Sequence, residues 1–424
     1  MGDAVGATDL GRRGLARTAA GLVGAAAGLA ALLPVAKAET KAGAEPLAPL
    51  AAGVTYSHVG SWDVAKLNQI LTADAPKFFG ITVPLSPARS GVALYRVHYP
   101  SVVPEKGNLP IMASGLVAVP DGEGSRFPLL SYQHGTVYQK EQVPSFPDQS
   151  PETGLVLAQF AGQGYVVTGA DYFGMGTSRE AEGYLVKGSQ QQATVDMLAA
   201  ARAVLAALKI EPTKLFLGGW SQGGFVTMAL LERLEAQGMT VDGAATASGP
   251  LDGFAAFSGF LDFPRGIDAT WLPILFILTA FSFENYYGVP DLARSVIKDE
   301  HYDLARKLYE RESYDAASLP TTVRALVRAD YLSPRYFASS AYGRIISATL
   351  HAYRWVIRSP VRNYYGESDE VVTPGLGRIA MTYQEAMGSG NKAVSAISTG
   401  KTDHRGTFMT AVPQWKNWFD AAGG

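Results

Sequence analysis

Cysteine is absent from the 424-residue chain. Its absence excludes disulfide bonds, a cysteine nucleophile and any thiolate metal site. The chain has only six histidines, scattered along its length, and no glycine-rich dinucleotide fingerprint follows the first predicted strand. Without disulfide bonds, the stability of the fold must come from a packed core. Without clustered metal ligands or a dinucleotide fingerprint, we expect no metal and no other cofactor.

Charge is also sparse. Charged residues make up 17% of the chain, the formal net charge is −2, and basic residues form no block. Nucleic-acid binding needs a basic surface that neutralises phosphates, so nucleic acid is excluded as a partner. Hydrophobic residues make up 47% of the chain, which is enough for one large core with an inserted layer or for two domains.

Apolar runs long enough to span a bilayer are lacking beyond the N-terminus. The longest apolar run, residues 271–283, has thirteen residues, whereas a transmembrane helix needs ~20.

At the N-terminus, Arg12, Arg13 and Arg17 precede an apolar stretch over residues 18–33, and small residues lead to Ala38. This layout predicts a signal peptide over residues 1–38, with an uncleaved anchor as the alternative. We expect export to the periplasm or the exterior, by general secretion or the twin-arginine route, and no stable membrane span after cleavage.

The remaining chain alternates apolar runs with helical patterns, which predicts an α/β fold with a mostly parallel central sheet flanked by helices. Strands are predicted at residues 93–99, 112–119, 127–132, 164–170, 215–217, 243–248, 361–365 and 393–398, and helices at 63–71, 190–207, from 225, and near 413–421. The predicted organisation is a linker or N-terminal arm (39–60), a first core part (61–250), a helical cap or lid insertion (251–358) and a second core part (359–424).

One motif in this pattern carries a nucleophile. Residues 219–223, G-W-S-Q-G, lie between an apolar strand and a helix that begins near Phe225. In this context G-x-S-x-G places its serine on a strained strand-to-helix turn, at the positive end of a helix. Ser221 is therefore the candidate nucleophile. The alternative is a glycine-rich turn whose serine only caps the helix.

A serine nucleophile needs a base, and the base needs an acid that fixes its tautomer. For this motif the acid follows a late strand and the histidine follows the last one. His404 alone among the histidines has that position. Three acids compete in the loop after the strand at residues 361–365: Glu367, Asp369 and Glu370. Asp369 is the predicted acid, with Glu367 in reserve. Asp403 adjoins His404 and is interpreted as a solvated loop residue.

The oxyanion of an acyl-transfer intermediate needs two N–H donors. The N–H of Gln222 follows the nucleophile directly, and the turn after the third predicted strand offers the N–H of Thr136 or of Gly135. We favour Thr136. His134 is interpreted as a histidine that braces this loop, and Asp171 as a structural residue that bonds main chain in the next loop.

Five motifs occur in this order along the chain: H-G-T, D-Y-x-G-x-G-x-S, G-W-S-Q-G-G, G-x-x-D-x-V-V and D-H-R-G. With them the chain resembles an α/β-hydrolase over about residues 90–420. Within that superfamily the chain is similar to exported bacterial esterases of the secretory-lipase type, and more distantly to prolyl-oligopeptidase-type peptidases. The resemblance implies Ser221 as nucleophile, His404 as general base and acid, Asp369 as its orienting partner, and an acyl-enzyme intermediate.

Three functions compete. The first is hydrolysis of a small carboxylic ester, with an apolar or aryl group bound beneath the insertion. The second is cleavage of small peptides or amides, which would need a charged anchor such as Glu284 or Asp262. The third is a non-catalytic binding protein on the same fold. The aromatic residues of the insertion suit either a substrate pocket or the insertion's own core.

Overall fold

The computed structural model describes residues 53–122, 124–388 and 393–423. The expected signal peptide, residues 1–38, lies outside these residues, and so does most of the expected linker. Among the helices of the described ranges, none is both long and apolar enough to cross a bilayer.

The described strands form one nine-stranded sheet, in the order β1-β2-β3-β5-β4-β6-β7-β8-β9. Their bounds are β1 Thr55–Trp62, β2 Gly91–Val103, β3 Leu109–Asp121, β4 Arg126–Gln133, β5 Val166–Ala170, β6 Glu211–Trp220, β7 Gly243–Ala247, β8 Val361–Tyr365 and β9 Val394–Ser398. The pairs β1/β2, β2/β3 and β3/β5 are antiparallel, and the other five are parallel. The predicted fold class, a mostly parallel sheet flanked by helices, is confirmed.

Residues 39–60 were predicted to be a linker or an N-terminal arm, and from Thr55 onward they are not a linker. There the chain forms β1, which pairs with β2 from Thr55 opposite His98 to Trp62 opposite Val92. Only Tyr56 and Trp62 of this strand are buried. An edge strand is held by main-chain hydrogen bonds and needs few apolar side chains, so hydrophobic periodicity does not reveal it.

Helices cover both faces of the sheet. Their bounds are α1 Val64–Gln69, α2 Ala75–Phe79, α3 Pro151–Gln159, α4 Lys187–Ala207, α5 Gln222–Ala236, α6 Gly253–Asp262, α7 Leu272–Tyr287, α8 Leu292–Val296, α9 Asp299–Tyr309, α10 Val323–Leu326, α11 Pro334–Ser339, α12 Ala341–Thr349, α13 Pro374–Ala386 and α14 His404–Gly423. Side chains of β6 alternate between two buried clusters: Leu217 joins α4 and α5 in one, and Phe216 joins α3 and α14 in the other. This two-sided burial explains why the central strands are continuously apolar.

The segment between β7 and β8 contains the helices α6 to α12, within the predicted insertion. The apolar stretch 271–283 lies in α7, which is almost entirely buried. Aromatic side chains of these helices pack on one another: the ring centroids of Phe257 and Phe276 are 4.6 Å apart, and those of Phe283 and Tyr342 are 6.0 Å apart. The segment therefore has a core of its own, which joins that of the sheet.

The last helix starts earlier than the sequence suggests. It was expected near residues 413–421, but α14 begins at His404 and continues through Pro413. An internal proline costs about 3 kcal/mol. Phe408, Trp415 and Phe419 are fully buried along the same helix, and their burial outweighs that cost.

Candidate active site

Ser221 forms a tight turn between β6 and α5. Its backbone has φ 56° and ψ −121°, a conformation that is unusual for any residue but glycine. Its N–H donates to the Ala247 carbonyl at 2.9 Å, and its carbonyl accepts from the N–H groups of Gly224 and Phe225 at 2.9 and 3.2 Å. The turn is thus fixed by main-chain bonds on both sides, and it places Ser221 at the N-terminus of a fifteen-residue helix.

The glycines around Ser221 allow this turn because there is no room for side chains. A Cβ on Gly219 would lie 2.3 Å from the Gly223 oxygen, and a Cβ on Gly223 would lie 1.9 Å from the Gln133 oxygen. On Gly224 it would lie 2.8 Å from the Cα of Gly249. These contacts are far below van der Waals distance, so the G-x-S-x-G-G spacing is required by packing.

Asp369 lies in the loop after β8 and is 1% exposed. One carboxylate oxygen accepts from the N–H groups of Val371 and Val372, both at 2.8 Å, and the other accepts from the Ser248 hydroxyl at 2.6 Å. Burial by itself raises the pKa of Asp369, but the charge and hydrogen bond of His404 and these donors bring it below its usual value. Asp369 is therefore an ionised carboxylate.

His404 is the first residue of α14. Its Nδ1 lies 3.1 Å from each carboxylate oxygen of Asp369. A carboxylate can only accept, so Nδ1 carries the proton and Nε2 is free to act as a base. Burial lowers the pKa of His404, but the Asp369 charge more than compensates and the pKa is above 6.5. The imidazole packs on Trp220, the residue before Ser221, at a centroid distance of 5.1 Å, and the Trp220 indole N–H donates to the His404 carbonyl at 3.1 Å.

Glu367 and Asp403 do not contact His404 through their side chains. Glu367 is exposed and accepts from the Ser398 hydroxyl at 2.8 Å. Asp403 accepts from the N–H of Gly406 at 2.7 Å, within the first turn of α14. Of the four acids that the sequence offered, Glu367, Asp369, Glu370 and Asp403, the structure brings only Asp369 to the imidazole ring.

The two N–H groups predicted as oxyanion donors have no protein acceptor within the described residues: those of Gln222 and Thr136. The Gly135 N–H, by contrast, donates to Glu152 at 2.8 Å. The Thr136 hydroxyl is hydrogen-bonded to the Tyr184 hydroxyl at 2.8 Å. The bond to Glu152 leaves Thr136 as the better placed of the two residues that the sequence left open.

Loop-bracing interactions surround this turn. His134 is buried, stacks on Tyr172 at a centroid distance of 4.1 Å, and directs its ring nitrogens at the carbonyls of Gly135 and Asp171. Burial lowers its pKa to about 4, so His134 is neutral at pH 7. Asp171 accepts from the Ser145 N–H at 2.9 Å and the Ser114 hydroxyl at 2.6 Å. Asp171 thus bonds main chain, but at Ser145 and not within its own loop, where the sequence placed that bond.

An apolar pocket opens beside Ser221 and Gln222. Its walls come from α5, α6 and α7 and from the loops that precede α4 and follow β7, α12 and β8. No charged side chain lines it. The lining residues are Tyr184, Leu185, Ser221, Gln222, Phe225, Pro250, Gly253, Ala256, Phe257, Phe260, Leu275, Leu350, Val371 and Val372. The pocket is narrow, with about 30 Å³ open to the centre of a water molecule. The acids considered as peptide anchors lie outside this set: Glu284 accepts from the Ala293 N–H at 2.8 Å, and Asp262 ends α6.

Several residues at the site were missed by sequence reasoning. Ser248 follows β7 with φ 48° and bonds Asp369. Glu370 was among the acids considered, but its contact was not predicted: its carboxylate accepts from the His404 N–H at 2.8 Å. Glu152 holds the turn before Thr136. The S-G-P that follows β7 is a turn signal, but nothing in it indicates contact with an acid more than a hundred residues later.

The alpha/beta hydrolase family model matches residues 134–393, which is more than half of the chain. No curated protein matches. A Legionella pneumophila protein provisionally classed as a hydrolase is 21% identical, with a TM-score of 0.76 over 89% of this chain and 98% of its own.

Two further solved structures share the fold. The rice cell wall degrading esterase LipA of Xanthomonas oryzae, in a ligand-bound form, is 21% identical, with a TM-score of 0.71 over 86% of this chain and 96% of its own. Candida antarctica lipase A in its closed state is 15% identical, with a TM-score of 0.58 over 85% of this chain and 82% of its own. The extent of the family match, together with the strand order and the serine turn, establishes that the chain belongs to the alpha/beta hydrolase family.

Proposed function

We propose that the protein is an exported serine hydrolase that cleaves carboxylic esters through Ser221, His404 and Asp369. The observation that carries this proposal is the hydrogen-bonded pair of Asp369 and His404, which packs against the strained Ser221 turn at the edge of an apolar pocket. Export rests on the charged, apolar and small-residue layout of residues 1–38.

In the proposed mechanism His404 Nε2 takes the proton of the Ser221 hydroxyl as its oxygen attacks the ester carbonyl carbon. The oxyanion of the tetrahedral intermediate accepts from the N–H groups of Gln222 and Thr136. The intermediate collapses to an acyl-enzyme as His404 gives its proton to the leaving alcohol. A water molecule, activated by the same imidazole, then releases the acid and restores Ser221. Asp369 stabilises the imidazolium in both halves.

The pocket favours a small ester with a short apolar or aryl group. Its walls are apolar and narrow, so a long acyl chain would require the helices of the 251–358 cap to move. A peptidase would need a charged or strongly polar anchor for its substrate, and no charged side chain lines the pocket. A shared fold with an esterase and a lipase also agrees with an ester as the target.

The test is hydrolysis of p-nitrophenyl esters from acetate to palmitate, and of aminoacyl p-nitroanilides, by the wild-type chain and by Ser221→Ala. We expect ester turnover with a short-chain optimum, and its loss in the variant. Turnover of the anilides alone would instead identify a peptidase. A folded wild-type protein that neither turns over esters nor reacts with a fluorophosphonate probe would be a binding protein.

A further inference from the structure

Glu152 is a buried acid that lies directly behind the Gly135–Thr136 turn. It is the second residue of α3 and is 5% exposed. One of its carboxylate oxygens accepts both the Gly135 N–H, at 2.8 Å, and the Tyr132 hydroxyl. Burying a carboxyl group costs several kcal/mol unless its partners compensate. A glutamate in this position therefore needs an explanation, and its partners lie at the candidate active site.

The bond to Glu152 fixes the direction of the Gly135 N–H. That N–H points to Glu152, and the next one along the chain, that of Thr136, has no acceptor in the described residues. The alternative, in which Gly135 faces the reacting carbonyl, would leave the buried carboxyl without its main-chain donor. Glu152 thus determines which N–H of the turn remains free.

The carboxylate, the turn and the serine turn are packed as one unit. A Cβ on Gly135 would lie 3.1 Å from the second Glu152 oxygen and 3.2 Å from the Trp220 carbonyl oxygen. Trp220 immediately precedes Ser221. A displacement of Glu152 would therefore move the Gly135–Thr136 turn relative to Ser221, and oxyanion donors act only within a few tenths of an ångström of their proper distance.

We propose that Glu152 is a positioning residue of the oxyanion site: by accepting the Gly135 N–H it directs the Thr136 N–H toward the developing oxyanion. This inference rests on the proposed esterase function. The role requires an acceptor, and not a charge. Burial raises the pKa of Glu152 to about 7, so the neutral acid is available at neutral pH and still accepts through its carbonyl oxygen.

Three substitutions in the full chain separate these features. Glu152→Gln keeps an acceptor oxygen at the same distance from the Gly135 N–H but cannot be charged. Glu152→Asp keeps the carboxyl group on a side chain that is shorter by one methylene, and Glu152→Ala removes the acceptor and the carboxyl group together. With p-nitrophenyl butyrate we expect kcat of the Asp and Ala variants to fall roughly 10²-fold, the loss typical of one oxyanion donor, with KM nearly unchanged. The Gln variant should stay within about fivefold of wild type by the same reasoning.

Glu235 provides a matched control. It is also a buried glutamate, 4% exposed, and it accepts from the Ser359 and Arg358 N–H groups at 2.7 and 3.0 Å. It lies at the far end of α5, about 20 Å from Ser221 at 1.5 Å per residue. Glu235→Ala should lower the unfolding midpoint but leave kcat per folded site within about threefold.

For every variant kcat is normalised to the amount of folded protein, measured by thermal unfolding, so that misfolded chains do not lower it. Equal kcat in Glu152→Asp and wild type, or a Gln variant as impaired as the Asp variant, would overturn the inference. If Glu152→Ala does not fold, the Asp and Gln variants still decide the question. An inactive wild-type chain would instead refute the proposed function itself, because that result does not depend on Glu152.

Discussion

Asp369→Asn is the substitution whose outcome follows most directly from the geometry. Two main-chain N–H groups, of Val371 and Val372, converge on one carboxylate oxygen, so the asparagine carbonyl must occupy that position. The amide NH₂ then takes the place of the other oxygen, 3.1 Å from Nδ1 of His404. The Ser248 hydroxyl can rotate to accept from this amide.

The new amide donor favours the wrong tautomer of His404. The asparagine carbonyl also lies 3.1 Å from Nδ1, but it already accepts the N–H groups of Val371 and Val372. Nδ1 therefore accepts from the amide, the imidazole proton moves to Nε2, and Nε2 can no longer take the proton of Ser221. The same substitution in serine proteases lowers kcat by about 10⁴, which corresponds to about 5 kcal/mol of transition-state stabilisation. We expect a loss of this size here, with the fold intact, because the main-chain bonds of the loop are kept.

The assay is kcat for p-nitrophenyl butyrate, normalised to folded protein by thermal unfolding. Glu367→Gln is the matched control: that side chain is exposed and bonds only Ser398 among the described residues, so kcat should change less than twofold. Retention of more than a tenth of wild-type kcat by Asp369→Asn would refute the reasoning. A comparable loss of kcat in Glu367→Gln would mean that Glu367, and not Asp369, is the acid that acts on His404.

Four further outcomes are expected. Because the pKa of His404 is raised and its neutral form is the base, kcat/KM should still be rising with pH above 6.5, and a profile already flat at pH 6 would contradict this. Burial lowers the pKa of His134 to about 4, so between pH 6.5 and pH 4 the unfolded chain binds a proton at this histidine and the folded chain does not. The free energy of unfolding should therefore fall by about 3 kcal/mol as the pH falls through this range. In His134→Gln, the free energy of urea unfolding should change less with pH over the same range. Gly223→Ala places a Cβ 1.9 Å from a main-chain oxygen and should prevent folding. Gly259→Ala is the control: its Cβ lies in open space within α6, so the free energy of unfolding should rise by about 0.5–1 kcal/mol. Soluble and active Gly223→Ala protein would contradict this expectation. Phe257→Ala should widen the pocket and shift the preferred p-nitrophenyl ester to a longer acyl chain, and an unchanged optimum would mean that the acyl group binds elsewhere.

The sequence by itself determined the features that depend on neighbouring residues. The apolar run of β6, the glycines and the helical pattern of α5 are continuous in the chain, so they predict the Ser221 turn without other information. The central strands were predicted for the same reason: burial on both faces makes them uniformly apolar. Chain order then indicated His404 and the acid-bearing loop.

Only the tertiary structure decided which side chains meet. Three acids compete in sequence for His404, and the difference between Asp369 and Glu367 is the direction in which a folded loop points each carboxylate. Ser248 reaches Asp369 across 121 residues, and β1 is defined by its pairing with β2. Glu152 likewise accepts from the Gly135 N–H across 17 residues. Such contacts join segments that are distant along the chain, and local propensity and periodicity carry no information about them.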